Sequence, residues 1–170
     1  MNYTIEYVRY LLESKGIERI SELSIFEIAE CFGFHLFETA KKSKIIPVDD
    51  DVLIFINFSK GEFAAREDFF HELAHYLLDH NFHQNIGELY YAEGKANRLA
   101  YYLSIPSNEI YEMDYKSETI VAELSEKFSV SLTYALQRYL MFCENSEYST
   151  KNSQKYYRNL INIYWNNAQA

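Results

Sequence analysis

The stretch FFHELAHYLLDH, residues 69–80, is the most informative part of the chain and decides the local fold. Its apolar residues recur at helical spacing, which predicts an α-helix with one buried face. His71 and His75 are four residues apart, so they project from the same side of that helix. The opposite, apolar arc consists of Phe69, Phe70, Leu73, Ala74, Leu77 and Leu78. We therefore expect a helix that packs on one side and presents two imidazoles on the other.

The two histidines and Glu72 form an HExxH pattern. Two imidazoles on one helical face can bind one metal ion, and Glu72 lies about 100° from His71 around the helix, beside the histidines rather than in line with them. That position suits a general base that takes a proton from the attacking water and returns it to the leaving amine. The expected metal is Zn²⁺ and the expected reaction is peptide hydrolysis. Because catalytic zinc normally has three protein ligands, a third should follow in the sequence.

The best candidate for the third ligand is Glu93, in the segment EGKANRLAYYLSIP, residues 93–106. Glu93 and Asn97 lie on one face of a predicted helix, next to small alanines that let two helices approach closely. Asn97 is expected to form a hydrogen bond with a ligand, and Asp79 is a further candidate for that supporting role. Other candidates for the third ligand are Glu88, His80 and His83.

A tyrosine hydroxyl is a natural donor to the negative charge that develops on the peptide carbonyl oxygen during hydrolysis. Tyr90, Tyr91 and Tyr101 all lie on the helix predicted to carry Glu93. The sequence does not distinguish among these three candidates for the oxyanion donor.

Local signals predict the elements that precede the HELAH helix. An apolar pattern over residues 5–12 predicts a first helix, and the capping-box spacing of Ser24 and Glu27 predicts a second helix that ends at Gly33. Residues 34–37 are expected to form a strand. The run VLIFINF, residues 52–58, is typical of a buried strand, here in a hairpin.

Two further expectations concern the polar residues around this hairpin. The acidic triplet at residues 49–51 lacks the spacing and glycine of a calcium-binding EF-hand, so we interpret it as a solvated turn. Ser59 and Glu62 repeat the capping-box spacing, which predicts the start of the HELAH helix. That helix is expected to continue to Asn81.

The second half of the chain is predicted to be helical. One helix is expected over roughly residues 88–103, stopped by Pro106, and a pair of helices over residues 118–142, with Ser131 as the N-cap of the second. We assign residues 1–143 to one zincin-like domain and 144–170 to a polar linker and an amphipathic helix. The apolar stripe of that helix is Tyr157, Leu160, Ile161 and Tyr164. The expected fold class is α+β, mostly helical with a small sheet.

Composition limits the classes of partner and compartment. The net charge of −9 disfavours nucleic acids and anionic membranes as partners. Cys31 and Cys143 are far apart and form no CxxC pair, which indicates neither a disulfide framework nor a thiolate zinc site and suits a reducing cytoplasm. No run is apolar enough for a membrane span or a signal-peptide core, so we expect a cytoplasmic protein that is not exported.

The HELAHYLLDH helix, the EGKANRLAYYLSIP segment and the later FSVSLTYALQRY segment, residues 128–139, together resemble the ImmA/IrrE family of metallopeptidases across residues 20–142. The resemblance implies His71, His75 and Glu93 as zinc ligands and Glu72 as the catalytic residue. It also implies a substrate class, the helix-turn-helix repressors of phages, mobile elements and stress responses. Phe70 and Ala74 depart from the residues common in the family, Ala and Gly, but both lie on the apolar arc.

Three hypotheses of function follow. The first is a zinc endopeptidase that cleaves a repressor and relieves repression, and the second is a zinc-binding antirepressor that inactivates its partner by contact alone. The third takes residues 128–139 as a helix-turn-helix that binds DNA directly. It is disfavoured by the charge of −9 and because Arg138 is nearly its only candidate for reading bases.

Overall fold

Helices packed around a small sheet make up the part of the chain that the computed structural model describes, residues 3–78 and 86–145. The helices are α1 (Tyr3–Ser14), α2 (Ile25–Phe32), α3 (Glu62–Leu77), α4 (Ile86–Ser104), α5 (Ser107–Tyr111), α6 (Ile120–Phe128) and α7 (Leu132–Asn145). The strands are β1 (His35–Glu38), β2 (Lys44–Val48) and β3 (Asp51–Ile56). A short 3₁₀ turn, Ile20–Glu22, precedes α2. The predicted α+β class is confirmed.

The sheet has three strands within the described residues, in the order β1-β3-β2. β1 is parallel to β3, and β2 forms the predicted antiparallel hairpin with β3. One face of β3 is apolar and buried through Val52, Ile54 and Ile56, against which α3 packs. Residues 49–51 are exposed at the hairpin turn, as expected for a solvated turn.

The predicted boundaries of α2 are confirmed. Ser24 Oγ accepts a hydrogen bond from Glu27 N, and the Glu27 carboxylate accepts one from Ser24 N at 2.8 Å, which completes a capping box. The helix ends at Gly33, whose φ of 75° is a left-handed conformation that glycine adopts without steric cost.

The predicted capping box at the start of α3 is wrong. The N-cap is Gly61, at φ 94°, and no side chain caps this end. Ser59 instead belongs to a turn in which its N–H donates to Asn57 Oδ1 at 2.8 Å, so its backbone is engaged before the helix begins. The other end was also misplaced, since α3 stops at Leu77 rather than at Asn81.

The C-terminal helical pair follows the prediction. α6 ends at Ser129, at φ 52°, and Ser131 Oγ accepts a hydrogen bond from Tyr134 N at 3.3 Å as the N-cap of α7. Ser131 N donates in turn to Glu67 Oε1 at 2.6 Å, which ties the start of α7 to α3. The short helix α5, between Pro106 and this pair, was not predicted from the sequence.

Two expectations lie partly or wholly beyond the described residues. The linker and amphipathic helix expected within 144–170 fall outside them from residue 146 onward, as do Asp79, His80 and His83. Among residues 3–78 and 86–145, no helix combines the length and hydropathy that a membrane span requires.

Candidate metal centre

The centre is built by α3 and α4, which run antiparallel with a regular pairing of residues. His75 lies opposite Glu93, and four residues earlier on α3, His71 lies opposite Asn97. Because one step of four residues advances about 6 Å along each helix, the paired side chains form successive levels between the two helices. The HELAH motif therefore meets the EGKAN segment directly.

Three side chains converge on one point at the centre of this interface. His71 Nε2 and His75 Nε2 are 3.1 Å apart, and the Glu93 carboxylate lies 3.4 Å from His71 Nε2 and 3.3 Å from His75 Nε2. Within the described residues, these three form the one group of potential ligands close enough to hold a metal ion. Donors about 2.0–2.1 Å from a tetrahedral zinc ion are separated by about 3.3 Å, so the observed spacing fits such an ion.

Asn97 lies behind the first of these imidazoles. His71 Nδ1 is 3.0 Å from Asn97 Oδ1, the distance of a hydrogen bond. Since the amide oxygen is an acceptor, Nδ1 of His71 carries the proton and its Nε2 lone pair faces the centre. The structure thus brings Asn97 to the supporting position that the sequence suggested.

The opposite side of α3 is packed in the core and supports the histidines. Phe69, Phe70, Leu73 and Ala74 are all fully buried, which places the two departures from the family pattern, Phe70 and Ala74, on the packed side. On α4, the small side chains of Ala96 and Ala100 are buried where the two helices meet. His71 and His75 remain partly exposed, at 28% and 18%.

Glu72 lies beside the histidines in a half-buried position, and burial raises its pKa to about 7. The ammonium of Lys42 opposes this shift, the carboxylates of Asp68 and Glu93 add to it, and a hydrogen bond from the backbone of Ile45 opposes it. A carboxyl group with a pKa near neutrality can both accept and release a proton at physiological pH, which general acid–base catalysis requires.

A cavity of about 340 Å³ opens next to Glu72 and His71. It is lined by Lys42, Ser43, Glu67, Asp68, His71, Glu72, Asn97, Ala100, Tyr101 and Tyr134. Residues from the loop before β2 and from α3, α4 and α7 therefore meet around one space. A segment of polypeptide that enters this cavity comes directly against the side chains proposed to carry the chemistry.

The remaining candidates are separated by their positions. Tyr101 lines the cavity, whereas Tyr90 and Tyr91 are 75% and 65% exposed and are not among its lining residues. Glu88 is exposed in the first turn of α4, outside the group formed by the histidines and Glu93.

The sequence alone did not predict the cavity walls that other elements contribute. Ser43 Oγ donates to Asp68 Oδ2 at 2.6 Å and accepts from Asn57 N at 3.0 Å, which fixes the residue before β2 against α3. Tyr134 comes from α7, far along the chain. Of these wall residues, only Glu67 and Asp68 could have been found from the sequence. They precede His71 and Glu72 by four residues, about one helical turn, so each lies next to one of them on the helix surface.

An α+β domain in which an HExxH helix and a following helix converge two imidazoles and a carboxylate on one point has the architecture of a metallopeptidase. The sequence profile of the M78 peptidases, described as the IrrE N-terminal-like domain, matches residues 29–140. The chain therefore belongs to this family of metal-dependent peptidases, and the resemblance found in the sequence is confirmed. No curated protein and no solved structure matches the chain.

Proposed function

We propose that the protein is a zinc-dependent endopeptidase that cleaves a helix-turn-helix transcriptional repressor. The observation that carries the proposal is the convergence of His71 Nε2 and His75 Nε2, 3.1 Å apart, with the Glu93 carboxylate, whose Oε2 lies 3.4 Å from His71 and Oε1 3.3 Å from His75, beside a half-buried Glu72. Family membership supports the class of reaction. The repressor as substrate rests on the resemblance to ImmA/IrrE proteins.

The donor set favours zinc over magnesium and calcium. Magnesium and calcium prefer sites made entirely of oxygen ligands, whereas two imidazoles and one carboxylate are a ligand set of catalytic zinc sites that leaves a position open. When bound, zinc polarises the peptide carbonyl and lowers the pKa of water at the open position. His71, His75 and Glu93 would hold the ion, with Asn97 orienting His71.

Glu72 moves the proton in this proposal. Its carboxylate accepts a proton from the attacking water as the new carbon–oxygen bond forms, and it donates that proton to the amine nitrogen as the carbon–nitrogen bond breaks. Its raised pKa, about 7, suits both transfers near neutral pH. The cavity beside Glu72 and His71 offers space for the residues that flank the cleaved bond.

A protein is a more suitable partner than DNA. The net charge of −9 opposes approach to a phosphate backbone. Arg138, the main candidate for reading bases, is buried, and its guanidinium donates to Ile105 O and Ser107 Oγ and packs over the ring of Tyr102. The guanidinium of Arg138 is therefore part of the core and does not face a DNA surface.

The first test measures the metal itself. Elemental mass spectrometry of the purified chain is expected to find about one zinc per chain, and His75→Ala is expected to lose most of it. A wild-type chain that binds no zinc even when supplied with it would contradict the proposed centre.

The second test separates cleavage from binding. Purified helix-turn-helix repressors are incubated with the zinc-loaded chain, and new fragments are read by intact-mass spectrometry. Glu72→Gln is expected to retain zinc and to lose cleavage. If a repressor is released from its operator equally well by wild type and Glu72→Gln, with no fragment in either case, the protein is an antirepressor that acts by contact and the peptidase proposal is wrong.

A further inference from the structure

The pairing of α3 and α4 continues one step beyond the metal centre. After His75 opposite Glu93 and His71 opposite Asn97, the next level pairs Glu67 with Tyr101. Burial is the main cause of the raised pKa of Tyr101, and the Glu67 carboxylate is close enough to raise that pKa further. Tyr101 is therefore one helical turn, about 6 Å, from the level of His71 and Asn97.

The cavity spans these last two levels. His71 and Glu72 lie at one end, while Tyr101 and Tyr134 stand at the other with ring centroids 4.4 Å apart. A peptide bond positioned for attack near Glu72 lies at the edge of this cavity. Tyr101 lines the same cavity as His71 and Glu72, so its phenol shares the space that the carbonyl oxygen of such a bond would enter.

The two phenols in this wall differ in their hydrogen bonds. The Tyr134 hydroxyl is buried and accepts a hydrogen bond from Ser104 Oγ at 3.0 Å. The half-buried Tyr101 hydroxyl forms no hydrogen bond with any residue in the ranges 3–78 and 86–145. Tyr101 thus has a free donor in the cavity, whereas Tyr134 serves to hold the Tyr101 ring.

The chemistry of hydrolysis calls for such a donor. When water attacks the peptide carbon, the electron pair of the carbonyl π bond moves onto the oxygen, which becomes anionic until the carbon–nitrogen bond breaks. A neutral phenol can stabilise this charge by donating a hydrogen bond without losing its proton. Burial keeps the pKa of Tyr101 above its usual value, so the hydroxyl remains protonated at neutral pH.

We propose that Tyr101 donates a hydrogen bond to the oxygen that becomes anionic during peptide hydrolysis. The role rests on the proposed peptidase function and selects one phenol among the three that the sequence left open. It also separates Tyr101 from Glu72, because Tyr101 moves no proton.

The kinetic test uses Tyr101→Phe on the zinc-loaded full chain, with a quenched-fluorescent peptide library of randomised central residues as substrate. Removal of one such donor costs about 10²–10³-fold in kcat, and KM is expected to change little because the interaction forms mainly in the transition state. Zinc content should be unchanged. Tyr90→Phe is the matched control, since it removes an exposed phenol outside the cavity, and it should leave kcat unaltered.

A binding test does not depend on turnover. The probe is an N-phosphoryl dipeptide, whose tetrahedral phosphoryl group places charged oxygens where the attacked carbonyl oxygen would lie. Its affinity for the zinc-loaded chain is measured by calorimetry. Tyr101→Phe is expected to weaken binding by about tenfold or more, consistent with loss of a hydrogen bond to a charged oxygen.

The outcomes distinguish this role from the proposed function. A wild-type chain that binds zinc but cleaves no substrate contradicts the peptidase function and, with it, the role of Tyr101. Equal kcat in Tyr101→Phe and wild type, or equal affinity for the phosphoryl dipeptide, overturns the role of Tyr101 and leaves the peptidase function intact.

Discussion

Replacement of Asn97 by Ala is expected to weaken zinc binding while the fold is retained. The change removes the acceptor that lies 3.0 Å from His71 Nδ1 and that fixes the proton on that nitrogen. Loss of such a supporting hydrogen bond usually lowers metal affinity by about 10–100-fold. His71 is 28% exposed, so water can replace part of the lost contact, and we expect the lower end of that range, about tenfold or about 1.4 kcal/mol.

The assay is a zinc titration in competition with a chelator of known affinity, at constant pH. Asn97→Asp keeps an acceptor at the same position and should bind zinc at least as tightly as wild type, because a carboxylate accepts the imidazole N–H strongly. Lys95→Ala, an exposed change on the same helix, is the control for α4. An affinity of Asn97→Ala within twofold of wild type, or an Asp variant as weak as the Ala variant, would refute this reasoning.

Three further predictions concern stability. Leu73→Ala should lower the free energy of unfolding by about 2–5 kcal/mol in urea denaturation, because Leu73 is fully buried beneath the histidines; a loss below about 1 kcal/mol would contradict the packing. Glu67→Ala should cost about 1–2 kcal/mol by leaving Ser131 N–H without its acceptor, whereas Glu67→Gln should retain most of that stability in the same experiment. Hydrogen bonds from the backbone and side chain of Ser24 lower the pKa of Glu27, so the stabilisation is present above the unfolded-state pKa and is lost as pH falls through the lowered folded-state value. The deficit in Tm of Glu27→Ala at pH 7 should therefore shrink in acid, and a deficit independent of pH would exclude a role for the charge.

The parts of the site that the sequence predicts are those that depend on helical periodicity. The shared face of His71 and His75 follows from a four-residue spacing, and the same spacing aligns Glu93 with Asn97 on the next helix. Once small residues on α4 are taken to mark close packing, the meeting of the two faces follows as well. Both α3 and α4 were therefore predicted to contribute before their contact was observed.

The parts that escaped prediction depend on contacts between distant segments. Ser43 and Tyr134 carry no local pattern that marks them as neighbours of Glu72, because their positions are set by the hairpin and by the packing of α7. The prediction of where α3 begins was wrong for a different reason. Ser59 and Glu62 have the spacing of a capping box, but a turn stabilised by Asn57 competes for the Ser59 backbone, and Gly61 takes the N-cap position.

The shortness of the connection between the paired helices has a consequence for folding. His71 and Glu93 are separated by about twenty residues, so closing that loop costs about 3 kcal/mol of chain entropy, about 2 kcal/mol less than a contact that spans the whole chain. Proteins rich in local contacts of this kind fold faster than proteins dominated by pairings between distant segments. The proposed ion would need only the hairpin of α3 and α4, so it could bind before the sheet and α7 are assembled around that hairpin. An ion acquired at that stage would act as a nucleus for folding as well as a cofactor, and scarcity of metal during synthesis would lower the yield of folded protein.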